Sequence, residues 1–99
     1  MSVLVIGKFQ GYTAMFRQAL TERAAEFEKI SADARAQGSL HHQFGVGDGF
    51  IVLVDEWETP EQFQQFFSNP DLHAFIGSIG AAGQPELTIT ETVTSASQY

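Results

Sequence analysis

The chain has 99 residues, 43% of them hydrophobic, which predicts one globular domain over residues 1–99 with an ordinary core. Five basic against twelve acidic residues give a formal charge of −7, which argues against nucleic acid or an anionic membrane as partner, since both want a Lys/Arg patch. With no cysteine, disulfides, thiolate nucleophiles and Cys-ligated metal centres are excluded. The opening MSVLVIGKFQ lacks the basic region and long apolar run of a signal peptide, and no stretch of 18 apolar residues occurs, so a soluble cytoplasmic protein is expected.

Ser2 to Gln10 alternates imperfectly and is rich in Val and Ile, which suits a strand apolar on both faces over its first half. Gly11-Tyr12 breaks it, and Thr13 is the expected N-cap of a helix over Ala14 to Gln37. Phe16, Ala19, Leu20, Ala24, Phe27, Ile30 and Ala34 recur there at three- and four-residue spacing. Arg17, Glu22, Glu26, Lys29 and Asp33 fall mostly on the other side, as a solvated face, and Gly38 is placed to stop the helix.

Ser39 to Val46 and Phe50 to Trp57 read as a hairpin across Gly47-Asp48-Gly49. The second of these strands opens with five successive apolar residues, so both its faces are expected to be buried. The two helices can cover one face; a second copy of the chain is the simplest cover for the other. Thr59, Pro60 and Gln62 then form a capping box with proline at N1, and Asn69-Pro70 restarts the helix. Phe63, Phe66 and Phe67 form the inward face, continued by Leu72, Phe75, Ile76 and Ile79. Gly80 to Gly83 reads as a loop and Glu86 to Thr94 as the last strand, with Ala96 to Tyr99 as a tail. The order β-α-β-β-α-β is the α+β, ferredoxin-like arrangement: a four-stranded antiparallel sheet with helices on one face.

Three histidines are candidates for chemistry, because imidazole titrates near neutral pH. His41 and His42 are adjacent, so they point to opposite faces of a strand and cannot share one metal. His42 shares parity with Leu40, Phe44 and Val46, which sets a polar group in the more apolar face; His41 goes with Ser39 and Gln43. Either is a candidate base toward a phenol-like ligand, and the blander alternative makes one a satisfied core residue and the other solvent-facing. An aromatic-lined cavity for a flat ligand would draw on Trp57, Phe63, Phe66, Phe75 and Phe44, with His73 and Lys8 as its polar candidates. The bland readings are a filled core for the aromatics, an exposed helix histidine and a snorkelling edge lysine. Asp55 could pair with a histidine or lysine of a neighbouring strand, and the blander reading gives it a dimer-edge salt bridge or solvation. No metal site or cofactor motif is read from the sequence.

The strand ending Asp55-Glu56-Trp57-Glu58, the aromatic helix after it and the Asn69-Pro70 break resemble the antibiotic biosynthesis monooxygenase superfamily. The resemblance implies a homodimeric α/β barrel, two ferredoxin-like sheets packed face to face. It also implies kinship with cofactor-independent monooxygenases of quinols or polyketide phenols and with haem-degrading enzymes. The polar groups of those branches, carried over by position, fall on Phe66, Asp71 and Ile76. Phenylalanine and isoleucine neither ligate iron nor transfer protons. The expectation is a homodimer that binds a small apolar or phenolic molecule. Cofactor-free monooxygenase chemistry, with His42 or His41 as base, is the alternative, and a non-catalytic structural or protein-interaction dimer is a second one.

Overall fold

The computed structural model describes residues 2–99. Strand β1 (Val3–Gly11) leads through helices α1 (Thr13–Glu22) and α2 (Ala24–Ala36) to the hairpin β2 (Ser39–Val46) and β3 (Phe50–Trp57). Helices α3 (Pro60–Phe67) and α4 (Pro70–Ser78) then return the chain to β4 (Ala81–Glu91). The strands form one antiparallel sheet in the order β2-β3-β1-β4. The ferredoxin-like expectation is met. Among the described residues no helix is long and apolar enough to cross a membrane.

Register decides which side chains meet the helices. Val3, Val5, Gly7 and Phe9 of β1 stand beside Trp57, Asp55, Leu53 and Ile51 of β3, and all eight are buried. Phe16, Ala19, Phe63 and Ile79 close over them from the helices. The opposite face carries Leu4, Ile6, Lys8, Phe50, Val52 and Val54, and no helix covers it; Ile6 and Val54 remain 40% and 39% exposed. Both faces of β1 and β3 are thus apolar, but only one is buried within the chain.

Local chemistry accounts for the turns and caps. Gly47 N–H donates to the Phe50 carbonyl across the tight turn, where Gly49 takes φ +81°. Thr59 Oγ1 accepts from Gln62 N–H at 3.2 Å, and Asn69 Oδ1 accepts from Asp71 N–H at 2.9 Å, with proline at the start of each helix. The two caps hold α3 and α4 as separate short helices whose aromatic faces both turn toward the sheet.

Four boundaries differ from the sequence reading. The single helix over Ala14 to Gln37 is two helices, broken at Arg23. Arg23 has φ −117° and ψ 31°, with its guanidinium chelated by Glu26 and tied to Ser78 Oγ at 2.8 Å. No proline or glycine marks that corner; a contact made 55 residues away holds it. Thr13 is the first helical residue rather than the cap, and Tyr12 occupies the cap position without a side-chain bond. The Gly80–Gly83 loop is mostly strand, because Ala81 and Ala82 pair with Gly11 and Gln10 beyond an irregularity at Lys8/Gln10. The same strand ends at Glu91 rather than Thr94.

A fifth difference bears on function. The β2–β3 register slips between Ser39 and His41, so Leu40 bulges out and is 55% exposed. Ser39 and His42 thereby face the helices together, opposite Trp57 and Asp55, and the expected parity of His42 with Leu40 is broken.

Candidate functional site

Between sheet and helices lies a cavity of about 310 Å³, at the small end of the range for small-molecule pockets. The sheet supplies Phe9, Phe44, Ile51 and Leu53; α2 supplies Phe27, Ile30 and Ala34; α3 and α4 supply Phe63, Phe66, Phe67, Leu72, Phe75 and Ile76. The wall rings meet edge to face: Phe16 and Phe44 are 5.0 Å apart between centroids, Phe27 and Phe44 5.9 Å, and Phe27 and Phe75 5.1 Å. Such contacts hold ring orientations as well as bury area. The result is a rigid apolar slot.

Polar groups gather at one end of it. His42 Nδ1 lies 2.6 Å from Asp55 Oδ1, and Trp57 Nε1 donates to Asp55 Oδ2 at 3.2 Å. Asp55 is only 7% exposed, so an unpaired carboxylate there would be costly. Indole N–H is a donor only, which makes Asp55 the acceptor, and a carboxylate accepting from His42 places the imidazole proton on Nδ1. Nε2 is then the free, basic nitrogen. The His42 ring stands edge to face on Phe44 at 4.5 Å, which fixes the other degree of freedom of the imidazole. Buried Ser39 and half-buried Ser31 add hydroxyls to this end of the wall. A base set beside an aromatic slot can accept the proton of a bound phenol.

The sequence candidates separate cleanly. His42, Phe44, Phe63, Phe66 and Phe75 come together on the wall. Trp57 does not: at 1% exposure it lies behind the wall against Phe63 and Phe66, and its contribution is to hold Asp55. Lys8 is on the uncovered sheet face, its ammonium 4.6 Å from the Phe50 ring centroid. His73 borders a separate hollow of about 150 Å³ and bonds through Nε2 to the Phe67 carbonyl oxygen. His41 touches the mouth of the main cavity, but its strand position pairs it with Glu56 on the opposite face. Of the places where related chemistry puts polar groups, Phe66 and Ile76 are apolar wall, and Asp71 is an exposed first-turn residue of α4.

Phe9, Phe27, Ser39 and Arg35 also reach the cavity without having been singled out in the sequence. For α2 a usable signal existed: Phe27, Ser31, Ala34 and Arg35 fall on one stripe of the helix, one turn apart. For Ser39 none did, because its orientation depends on the bulge.

A scan of protein-family models and a search of curated proteins each found no match. Solved structures do match over nearly the whole chain. SnoaB, a cofactor-independent oxygenase from Streptomyces nogalater, superposes with a TM-score of 0.66 at 14% identity, covering 98% of each chain. The monooxygenase from the gene ActVA-Orf6 of Streptomyces coelicolor, solved with nanaomycin D, gives 0.64 at 13% identity, with 99% of this chain and 93% of that one covered. This chain shares the fold of these two proteins and of a further solved structure described as an antibiotic biosynthesis monooxygenase. Rv0793 from Mycobacterium tuberculosis is similar to the same degree, at 0.65 and 19% identity over 98% of this chain and 100% of that one. At such identities the fold is shared and the side chains are not, so the activity has to be argued from the cavity.

Proposed function

We propose that this protein binds a small, flat, phenol-bearing molecule in the aromatic cavity, with His42 taking the phenolic hydrogen bond. The observation that carries this is the His42–Asp55 pair at the edge of an otherwise apolar slot. A purely apolar ligand would need no oriented imidazole, and a fully polar one would gain nothing from the phenylalanine wall. The structural-dimer reading draws less support, because a solid aromatic core would serve it better than an open cavity.

The assembly that supports this site is a homodimer. Leu4, Ile6, Phe50, Val52 and Val54 form an apolar sheet face that no helix among the described residues covers. A second copy presenting the same face buries it by two-fold symmetry.

Catalysis is a second reading, favoured by one specific feature: Asp55 leaves Nε2 as the base, the arrangement a proton-abstracting histidine needs. His42 would remove the phenolic proton, and the electron-rich phenolate would reduce O₂ directly. One oxygen atom would enter the ring and the other leave as water, turning a phenol into a quinone with all four electrons drawn from the substrate. Two of the solved neighbours are described as a cofactor-independent oxygenase and a monooxygenase, in keeping with such chemistry.

Calorimetric titration with a panel of naphthols and quinols, run beside O₂ uptake, separates the readings. Binding that weakens in His42→Ala supports the site. Turnover that falls by about 10²-fold or more in the same variant adds catalysis. Failure of every panel member to bind removes both.

A further inference from the structure

Of all the residues on the cavity wall, only Arg35, Leu40, His41 and His42 are exposed, and they adjoin one another where the end of α2 meets the start of β2. They mark the mouth. Arg35 is the one cation among them and the only lysine or arginine on the wall among the described residues. The chain's other four basic residues are spent elsewhere: Lys8 on the far sheet face, Arg23 on Glu26, and Arg17 and Lys29 on helix positions off the cavity. The Arg35 guanidinium has no hydrogen-bond or ion-pair partner among the described residues. Asp55, the one acidic residue on the wall, has both carboxylate oxygens engaged, by His42 and Trp57.

We infer that the cavity selects aromatic acids, with the ligand's ring in the phenylalanine slot, its phenol on His42 and a neighbouring carboxylate on Arg35. This rests on the proposed binding site and adds a specificity residue to it. A guanidinium offers a planar fork of donors that matches a carboxylate in two parallel bonds, which a neutral ligand cannot use. In a chain of net charge −7, an unpaired arginine at a cavity mouth is a local reversal of field. Neither the apolar far end nor the rest of the wall offers a second cation, so the carboxylate has one place to go. The same placement sets the ligand's direction: charged edge at the mouth, ring inward.

The test compares 1-hydroxy-2-naphthoate with 1-hydroxy-2-naphthamide, which keeps the shape and the phenol but not the charge. For the wild-type protein at low salt the acid should bind about tenfold tighter, between the small gain of an exposed ion pair and the larger one of a desolvated pair. Arg35→Gln should bring the two ligands to equal affinity through loss at the acid alone, and Arg35→Lys should keep part of the preference. Equal binding of acid and amide by the wild type, or a preference that survives in Arg35→Gln, overturns the assignment and leaves the phenol site standing. If neither ligand binds, the site reading and the assignment fall together.

Discussion

His42 Nδ1 and Asp55 Oδ1 stand 2.6 Å apart across the β2–β3 pair, and the second oxygen of the same carboxylate holds the Trp57 indole. Asp55 is therefore a joint between a buried structural residue and a half-exposed chemical one. Replacing it with alanine leaves the Trp57 N–H buried without an acceptor, which should cost about 1–3 kcal/mol of stability. His42→Ala should cost less, because Asp55 keeps the Trp57 N–H as a partner and the lost ring is partly in solvent. Denaturant unfolding of the two variants distinguishes these costs, and a larger loss for His42→Ala would contradict the account.

Ala34 lines the cavity from α2 without filling it. Ala34→Phe should occupy the slot and abolish naphthol binding, while thermal stability stays level or rises as apolar area is buried. A variant that binds as well as the wild type would place the ligand elsewhere. Melting and calorimetry on one preparation report both quantities.

Gly38 holds φ +120°, and a methyl group there would come within 2.6 Å of Gln62 Oε1. Its carbonyl also accepts from Glu58 N–H at 2.9 Å, so the backbone has little freedom to relax. Gly38→Ala should destabilise by about 1–3 kcal/mol. The position joins α2 to β2 beside the mouth, so ligand affinity should drop with stability, as read by the same titration.

Ile6 and Val54 are neighbours on the uncovered face. If the proposed homodimer forms through this face, Ile6→Glu should convert it to a monomer by placing a charge in the apolar contact. Light scattering checks this directly. A wild-type monomer at micromolar concentration would remove the face-to-face assembly, and a dimer unchanged by Ile6→Glu would move the interface to another surface.

Arg23 joins the α1–α2 corner to α4, with its guanidinium 4.7 Å from the Phe75 ring centroid. Its hydrogen bond, before any longer-range charge effect, holds the Glu26 carboxyl below the usual carboxylate range. A lowered folded-state value means the pair supports the fold above the ordinary carboxylate range and loses that support as pH falls through the folded value. Both groups are solvent-accessible, so the contribution is small and salt-sensitive. Acid titration of stability in Arg23→Gln should show a slightly shallower fall than in the wild type.

The hairpin, the caps at Thr59 and Asn69 and the inward phenylalanines were legible in the sequence, because each follows from local residue chemistry or a short period. What was hidden depends on distance along the chain. The break at Arg23 needs Ser78, and the His42–Asp55 contact needs a strand register. That register is shifted by a bulge at Leu40 that no glycine or proline announces. Periodicity also marks a face without marking depth. Leu53 and Trp57 share the helix-facing side of β3, yet Trp57 is sealed behind the wall and Leu53 is part of it. Lys8 misled in the same way, since both parities of its strand are apolar and only one faces the cavity.

The most direct test is a long-range ¹H–¹⁵N spectrum of the three imidazoles during titration with 1-naphthol. The account predicts that His42 carries its proton on Nδ1 in the free protein and that its Nε2 resonance moves on binding, while His41 and His73 stay unchanged. A His42 resonance that does not respond to saturating ligand, or a response confined to His41 or His73, would contradict it.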